Sequence, residues 1–306
     1  MDSLISYLYL MRRKNDILWK GILEEVFPDL LMFLFTDTES RFNMKRKVVF
    51  LDKELAELYP EPEKDSDTRF VDKLVKIYTK SGNEKYLLIH IEVQGQYDRE
   101  FTKRMFKYFY RIYDRFFDQP VIPIAIFTGL DGKRMGDRFE LAYEGSELMY
   151  KFNTLHITDF KNSDLEASDN PFALVLLAAK KLLLKGKNLD IRLLEQKLLI
   201  ARLLYRKGVF SRKKIRAILT FLENYVLFEK PEMNRIFREE LDRLSGKKNT
   251  MGIIEQVANM KANEKAARLL LENTDFSVNK VAELVGIPVS LVKKVKASLR
   301  PKLQVK

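Results

Sequence analysis

The sequence contains no cysteine and only two histidines, His90 and His156. The absence of cysteine excludes disulfide scaffolds, thiolate zinc sites and thiol nucleophiles. Two histidines exclude a histidine-rich metal site and disfavour a Ser-His-Asp triad. No apolar run reaches the roughly 18 to 20 residues that a membrane helix requires, and the early basic run Arg12-Arg13-Lys14 does not fit a secretory signal. We therefore expect a cytoplasmic protein with no membrane partner.

Positive charge is concentrated in the last third of the chain. Residues 1–200 hold 32 Lys and Arg against 32 Asp and Glu, whereas residues 201–306 hold 23 against 11. The whole net charge of +12 therefore lies beyond residue 200. A basic block on a neutral body favours a partner that carries phosphates, although exposed helix faces that need charge for solubility would produce the same asymmetry.

Three short segments in the first third of the chain have the composition of β-strands. They are rich in valine and isoleucine, are bounded by turn-forming residues, and cover Lys45–Leu51, Phe70–Tyr78 and Tyr86–Gln94. The turn formers Ser81-Gly82-Asn83 separate the second segment from the third, so these two are predicted to form a hairpin. A helix is expected over the first 35 residues, interrupted at Pro28.

After the hairpin the pattern predicts one long helix and two further strands. The helix covers about Arg99–Phe117. The continuous apolar run Val121–Phe127 is typical of a strand buried on both faces, and another strand is predicted within Leu148–Ile157. This order of elements indicates a mixed α/β domain.

Strand patterns end before Asn170-Pro171, which is expected to open a helix, and helical patterns then continue to about Leu244. We therefore expect three parts. They are a mixed α/β domain over 1–165, a helical region over 166–248 and a small, basic helical tail over 249–306.

Acidic and amide side chains share one face of the predicted hairpin. Side chains alternate in direction along a strand, so His90, Glu92 and Gln94 lie on one face of the third strand. The apolar residues between them lie on the other face, which is expected to face the core. Hairpin pairing can bring Asp72 of the preceding strand beside Glu92, where the two carboxylates repel each other unless a cation lies nearby.

Two interpretations of the Asp72–Glu92 pair remain open. A divalent cation would relieve the repulsion, and oxygen ligands with retained waters suit Mg²⁺ or Mn²⁺ better than zinc. Such an ion can activate a water for hydrolysis of a phosphodiester. Alternatively, lysines such as Lys73 or Lys85 pair with the two carboxylates on a solvated face of the sheet, and the acids are then structural.

The hairpin and the helix after it resemble a known family. The runs RFVDKLVKIY, YLLIHIEVQGQ and FTKRMFKYFYRIYD, in this order and at close spacing, resemble the recombination-promoting nuclease/putative transposase family. The resemblance extends over roughly residues 14–160 and includes DILWKGILEEVFPDLL and the segment FLDKEL at 50–55. It implies a restriction-endonuclease-like PD-(D/E)XK core.

The resemblance also implies roles for particular residues. In that superfamily an aspartate on one strand and an acid on the next bind the metal, and here Asp72 and Glu92 occupy these positions. The usual third member is a lysine, whereas this chain has Gln94, which can orient a water by hydrogen bonding but carries no charge. The superfamily often adds a glutamate from the first helix or nearby. The candidates for it are Glu24, Glu25 and Glu54.

A basic stripe is predicted along the helix over 99–117. Arg104, Lys107, Arg111 and Arg115 follow one another at spacings of three and four residues, which places them on one side of the helix. The corresponding helix of the superfamily lies near the active site, so Arg104, Lys107 and Arg111 are expected to contact DNA phosphates. Alternatively, the neighbouring acids Asp98, Glu100, Asp114 and Asp118 neutralise the stripe. The aromatic residues of its broad apolar face, Phe101, Tyr108, Phe109 and Phe116, are expected to belong to the core.

The last fifty residues resemble a helix-turn-helix. The pattern predicts a first helix over Ser277–Leu284 with Ser277 as its cap, a turn at Gly286-Ile287-Pro288 and a second helix over Val289–Leu299. Lysines on the exposed face of the second helix are expected to contact DNA phosphates rather than base edges. These lysines are Lys293, Lys294 and Lys296. A helical hairpin docked on a bundle and a dimerisation tail are the alternatives.

These patterns together predict a transposase-like DNA endonuclease that depends on Mg²⁺ or Mn²⁺, uses no small-molecule cofactor and acts in DNA recombination. A homodimer would provide the two sites that cutting both strands requires. The alternative function is that of a DNA-binding or scaffold protein on a catalytically weak or inactive nuclease fold. Gln94 at the position of the lysine favours this alternative.

Overall fold

The computed structural model describes residues 2–58, 71–80, 86–117, 119–245, 265–272, 274, 276–285 and 289–299, and for residues 2–14, 71 and 72 it describes the backbone alone. The chain divides into two compact units, Met1–Phe237 and Arg238–Lys306. Among the described residues, no helix combines the length and the apolar character that crossing a bilayer requires.

The predicted mixed α/β class is confirmed, because seven strands accompany helices in the described part of the chain. The strands are β1 (Val49–Phe50), β2 (Val71–Tyr78), β3 (Tyr86–Gln94), β4 (Val121–Phe127), β5 (Arg138–Tyr143), β6 (Ser146–Lys151) and β7 (Asn153–His156). Five of them form a mixed sheet in the order β1-β2-β3-β4-β7, and β5 and β6 form a separate hairpin. In the large sheet β1, β2 and β3 pair antiparallel, whereas β4 pairs parallel with both β3 and β7.

Nine α-helices are described between residues 2 and 244. They are α1 (Asp2–Leu34), α2 (Thr38–Arg41), α3 (Asp52–Glu57), α4 (Phe101–Arg115), α5 (Asn162–Ala167), α6 (Pro171–Lys180), α7 (Leu189–Arg206), α8 (Arg212–Tyr225) and α9 (Pro231–Leu244). Short 3₁₀ helices cover Leu130–Arg134, Ile157–Asp159 and Lys181–Leu183. Helix α4 connects the parallel neighbours β3 and β4, so it crosses one face of the sheet and runs back along β3.

Local sequence signals explain several of these boundaries. Pro28 does not end α1, but the helix is kinked at Val26, where φ is −116° and ψ is 18°. Asn170 caps α6 as predicted, since its Oδ1 accepts a hydrogen bond of 2.9 Å from Phe172 N, and Pro171 lies in the first turn. Helix α6 is buried along almost its whole length, between α1, α5, α7 and α8.

Strand β3 corrects one prediction about the faces of the sheet. The apolar face was expected to be the buried one, but every residue from Leu87 to Gln94 is buried. The reason is that α4 covers the face that carries His90, as the contact between the His90 and Tyr108 rings shows. The predicted burial of Val121–Phe127 on both faces is confirmed for its last five residues.

The strand predictions were incomplete at two further places. The segment Lys45–Leu51 contains only the two-residue strand β1, and the single strand expected within Leu148–Ile157 is divided between β6 and β7. The hairpin of β5 and β6 was not predicted. Its turn is formed by Glu144 and Gly145, whose φ angles of 42° and 85° are those of a tight two-residue hairpin turn.

In the second unit, three short helices pack around one apolar cluster. They are α10 (265–272), α11 (Val278–Val285) and α12 (Val289–Leu299). The cluster contains Ala267, Val281, Ala282 and Val292, all buried. Ser277 caps α11 as predicted, since Lys280 N donates to its Oγ over 3.2 Å. The predicted turn at 286–288 lies outside the described residues, as does the predicted hairpin turn at 81–83.

Candidate active site

Asp72 and Glu92 are direct partners in the antiparallel pairing of β2 and β3. Directly opposed residues of an antiparallel pair have Cβ atoms about 4.5–5.5 Å apart and point to the same face of the sheet. Hairpin pairing thus brings the two acids together in the register that the sequence suggested. The side chain of Asp72 is outside the described part of the structure, so this juxtaposition rests on the backbone.

Glu92 is enclosed between the sheet and α4. Its side chain is 0% exposed, and one carboxylate oxygen, Oε1, lies 3.3 Å from Nε2 of His90, which is also 0% exposed. The His90 ring lies in turn 5.0 Å from the ring of Tyr108 on α4. An apolar cluster of Leu74, Leu88, Tyr108 and Ile112 lies next to this group on the same face. Burial of this kind strengthens electrostatic interactions of the carboxylate.

Gln94 ends β3 two residues after Glu92 and on the same face. Its side chain is 1% exposed, and its Nε2 donates a hydrogen bond of 2.6 Å to the carbonyl oxygen of Gln96. This bond fixes the orientation of the amide. The other end of the amide, Oε1, is buried and has no hydrogen-bond partner among the described residues. A buried carbonyl oxygen without a donor is a place where a water can bind.

The carboxyl ends of the parallel strands meet beside Gln94. Gln94, Phe127 and His156 are aligned register partners across β3, β4 and β7. After β4, the backbone at Gly129 approaches the end of β3 so closely that a Cβ would lie 2.0 Å from the carbonyl oxygen of Gly95, so only glycine fits. The His156 ring stacks on Phe127 with centroids 4.7 Å apart, and burial lowers the pKa of His156. Close packing therefore holds the end of β3.

Lys73 does not pair with the two acids, contrary to one of the two interpretations of the acidic pair. It follows Asp72 on β2 and so points to the opposite face, where its buried Nζ contacts the carboxylates of Glu24 on α1 and Asp52 on α3. The prediction that Lys73 neutralises Asp72 and Glu92 was therefore wrong, because the sheet lies between them. Lys85, the other lysine considered, is outside the described residues.

The glutamates proposed from the N-terminal segment are dispersed. Glu24 binds Lys73 on the opposite face of the sheet from Glu92. Glu25 forms an ion pair with Lys213 of α8, with 2.8 Å between Oε2 and Nζ. Glu54 lies half-buried on α3. No described contact brings Glu25 or Glu54 to Glu92.

The cations of α4 have different surroundings. Arg104 contacts the carboxylate of Asp98, and both side chains are about one-fifth exposed, at 20% and 21%. Arg111 donates from Nη1 to the carbonyl oxygen of Leu58 over 3.1 Å, and Lys107 is half-buried. The alternative that acids neutralise the stripe therefore applies to Arg104 at least in part.

The expectation that the apolar face of α4 belongs to the core is confirmed. Phe101, Met105, Tyr108 and Ile112 are buried, at a spacing of three to four residues. Phe106 and Phe109 pack beside them against the β5–β6 hairpin. These aromatic rings are occupied by packing within the protein and do not form an open surface for stacking of bases.

In the second unit, the lysines predicted to bind DNA lie on the surface. Lys293, Lys294 and Lys296 of α12 are all exposed, while Val292 and Val295 of the same helix are buried. The helix therefore presents an apolar side to α10 and α11 and a basic side to solvent. No arginine, asparagine or glutamine accompanies the three lysines within Val289–Leu299.

Sequence reasoning missed several residues around the site. His90 was seen to share a face with Glu92, but its contact with Glu92 was not predicted. Asp52 was not singled out as a partner of Lys73, whereas Asp98 was among the acids expected to neutralise the basic stripe that contains Arg104. The alternation of side chains along β2 could have shown that Lys73 and Asp72 face opposite sides.

Among side chains that the structure describes, no group of three or more histidine, aspartate or glutamate residues could hold a metal ion. The two predicted metal ligands differ in how fully they are described, because only the backbone of Asp72 is included. The donor chemistry of the pair fits a hard divalent cation, since both ligands are carboxylates from adjacent strands.

Comparison with known proteins identifies the segment that contains this site. Residues 62–199 match the family model described as putative transposase, YhgA-like. This family belongs to the PD-(D/E)XK-like group of putative transposases and recombination-promoting nucleases, which confirms the resemblance seen in the sequence. No curated protein matches the chain, and neither does any solved structure.

Proposed function

Because residues 62–199 belong to the YhgA-like putative transposase family, we propose that this protein is a metal-dependent DNA endonuclease with a PD-(D/E)XK-like core. A transposase-like family implies interaction with DNA, and cleavage of DNA is the chemistry that recombination requires. The observation that carries the proposal is the direct pairing of Asp72 with Glu92, with Gln94 two residues farther along the same face.

The residues that would hold the metal are Asp72 and Glu92. Two carboxylates on adjacent strands supply oxygen ligands that suit Mg²⁺ or Mn²⁺, and a cation would offset their mutual repulsion. When bound, such an ion acts as a Lewis acid on the phosphate and lowers the pKa of a bound water. The rest of the chemistry depends on side chains of this chain.

Glu92 is held in one orientation by its surroundings. His90 contacts its carboxylate at 3.3 Å, and the aromatic ring of Tyr108 packs against His90 from α4. A carboxylate that is fixed before substrate arrives loses little conformational entropy when it binds a ligand. His90 and Tyr108 are therefore positioning residues for Glu92.

Gln94 orients the water that attacks the phosphodiester. Its Nε2 is committed to the carbonyl oxygen of Gln96, which leaves Oε1 to accept a hydrogen bond from a water. The water oxygen forms a bond to phosphorus and releases one of its protons to solvent, the bond from phosphorus to the sugar oxygen breaks, and that oxygen takes up a proton from solvent. Since an amide cannot accept the proton of the water as a base, we expect a modest rate.

Basic side chains from two parts of the chain hold the DNA. Lys107 and Arg111 lie on α4, the helix that covers the face of the sheet with the proposed site, and Lys293, Lys294 and Lys296 are exposed on α12. These cations contact phosphates, which contribute most of non-specific affinity. A homodimer would supply two such sites for two strands.

A catalytically inactive DNA-binding or scaffold protein is the second candidate function. Two observations favour it: Gln94 stands in the usual position of a catalytic lysine, and the side chain of Glu92 is 0% exposed. A carboxylate enclosed in this way is not open to a metal ion from solvent.

Cleavage of supercoiled plasmid DNA distinguishes the two functions. The nuclease is expected to convert supercoiled plasmid into nicked circles in Mg²⁺ or Mn²⁺ and to stop when EDTA is added. A scaffold protein would retard the plasmid on a gel in either condition without nicking it. If the protein binds and retards the plasmid but never nicks it in the presence of metal, the protein is a DNA-binding or scaffold protein and not a nuclease.

A further inference from the structure

Two aromatic contacts fix the position of α4 along the length of β3, that is, which helix residue lies level with which strand residue. The ring of Tyr108 lies 5.0 Å from that of His90. Nearer the start of the helix, the ring of Phe101 lies 5.1 Å from that of Phe127, which is the register partner of Gln94 in β4. The helix therefore spans, between these two contacts, the stretch of β3 from Gln94 back to His90.

Arg104 lies midway along this stretch, level with Glu92. Four residues of helix rise about 6 Å, and two residues of strand rise about 6.6 Å. Arg104, four residues before Tyr108, is therefore level with the residue two positions after His90, which is Glu92. Met105 supports this alignment, because it belongs to the same buried cluster as Ala125, the register partner of Glu92 in β4.

The side of α4 that carries Arg104 faces β2, β3 and α3. Arg111, two turns along the same side, bonds the carbonyl oxygen of Leu58 at the end of α3. Phe106 and Phe109, on the other side of the helix, pack against the β5–β6 hairpin. Arg104 therefore lies on the side of the helix that is nearer to β2, the strand of Asp72.

The guanidinium of Arg104 is also held in place, and its Nε and Nη2 are buried. The guanidinium contacts the carboxylate of Asp98, in the loop between β3 and α4, and the Arg104 side chain remains 20% exposed. Lys107, one turn farther along the same side, is level with a more distant part of β3. Among the described cations of α4, Arg104 thus combines the level of Glu92 with a guanidinium that is fixed and largely buried.

We propose that Arg104 is the active-site cation of this protein and that Asp98 positions it, an inference that rests on the nuclease function proposed above. The lysine usual in this superfamily supplies a positive charge beside the acidic pair, and Gln94 cannot supply it. A guanidinium keeps its positive charge throughout the ordinary pH range, and at the level of Glu92 this charge lies near the non-bridging oxygens of a phosphate bound at the acidic pair. It stabilises the negative charge that develops on these oxygens as water attacks phosphorus.

The test is a single-turnover nicking experiment at saturating plasmid concentration in Mg²⁺. The variants are Arg104→Gln, Asp98→Asn, the double variant, and Lys103→Gln as a control. The control removes one positive charge from the adjacent position, where the lysine is exposed and pairs with Glu100 at 3.5 Å. DNA affinity is measured separately in EDTA, and folding is checked by thermal denaturation.

Arg104→Gln is expected to lower the nicking rate constant by about 10²–10³-fold, with a change of less than about threefold in DNA affinity. Asp98→Asn is expected to lower the rate about tenfold, and to have no further effect in the Arg104→Gln background, because a positioning residue acts only through its partner. Lys103→Gln is expected to retain the wild-type rate constant.

Several results would overturn the proposal. A folded Arg104→Gln protein that nicks at the wild-type rate would exclude the role, and so would a loss of DNA affinity with the rate constant unchanged. If Arg104→Gln does not fold, Asp98→Asn decides, and a wild-type rate there rejects the assignment. A wild-type protein that never nicks plasmid would instead refute the nuclease function itself, and the role of Arg104 with it.

Discussion

Asp72 and Glu92 lie directly opposite each other in the antiparallel ladder of β2 and β3, and Lys73 lies on the reverse face. Alternation along β2 thus separates two charged groups. The acidic pair is on the α4 face, while the ammonium of Lys73 is bound by Glu24 and Asp52 on the other face. The Lys73 contacts fix which side chains of β2 point to each face of the sheet, and Asp72 is thereby on the same face as Glu92.

We expect Lys73→Met to lower the free energy of unfolding by about 1.5–3 kcal/mol, the range for hydrogen bonds to charged groups. The lower part of this range is expected, because Glu24 and Asp52 are partly exposed and can be hydrated when the ammonium is removed. Lys53→Met, at an exposed position on α3, is the control. Urea denaturation measures both, and equal midpoints for the two variants would show that the buried contacts do not stabilise β2.

The hairpin and its register could be predicted from the sequence because β2 and β3 carry local signals. Both are β-branched segments of similar length, and opposing them about a short turn pairs Asp72 with Glu92. The burial of Glu92 could not be predicted in this way. It depends on where α4 crosses the sheet, which is a tertiary contact between Tyr108 and His90.

The β5–β6 hairpin, in contrast to the β2–β3 hairpin, could not be predicted from its hydrophobic pattern. Arg138–Tyr143 and Ser146–Lys151 are polar and largely exposed, so their hydrophobic pattern is weak. Their pairing is stabilised on one side by aromatic contacts, such as Phe106 with Phe139, whose rings stack 5.2 Å apart. The turn residues Glu144-Gly145 were the available signal, since two successive positive φ angles favour glycine in a two-residue turn.

Lys181 is expected to make stability depend on alkaline pH. Burial lowers the pKa of Lys181 from 10.5 to about 8, with smaller opposing effects of Glu166 and Lys180. Below pH 8 the folded protein bears the full cost of the buried ammonium. As pH rises from about 8 to 10.5, the unfolded chain holds a proton that the folded protein has released, so this contribution to stability increases with pH.

We therefore expect Lys181→Met to stabilise the protein at pH 7, by about 3 kcal/mol at most. This gain in the free energy of unfolding should shrink as pH rises from about 8 to 10.5. Urea denaturation of the variant and the wild type at a series of pH values measures it, with Lys187→Met, an exposed lysine, as the control. A gain that is independent of pH would show that packing of the methionine, rather than removal of the charge, is responsible.

Divalent metal ions are expected to raise the melting temperature. Preferential binding to the folded state adds about 2.7 kcal/mol when the free metal is at 100 times its Kd. The increase should occur with Mg²⁺ or Mn²⁺ and disappear in Asp72→Asn, which loses one anionic ligand. A gain that persists in this variant would place the ion elsewhere, and stabilisation by zinc alone would contradict ligation by oxygen.

Removal of residues 250–306 tests the basic tail. The deletion removes ten Lys and Arg against five Asp and Glu, including the exposed lysines of α12. If this tail contacts phosphates, the truncated protein should bind DNA more weakly at low salt. The slope of log affinity against log salt should become shallower by roughly 0.9 for each lost phosphate contact.

The same truncation distinguishes a tail that only dimerises the protein. In that case the molecular mass in solution changes and the salt slope for each protomer stays the same. An unchanged slope would reject the DNA-binding role of α12. Nicking at saturating DNA should survive the deletion in either case, because the proposed metal ligands precede residue 95.

The most direct measurement is the rate of plasmid nicking in Mg²⁺ by Asp72→Asn and Glu92→Gln, beside the wild type and Gln94→Ala. Both isosteric changes leave the side-chain volume unchanged, so the fold should persist, and circular dichroism checks this. We predict that each abolishes nicking and that Gln94→Ala lowers the rate less. Folded Asp72→Asn protein that nicks plasmid as fast as the wild type would contradict the assignment of the Asp72–Glu92 pair as the metal site of a nuclease.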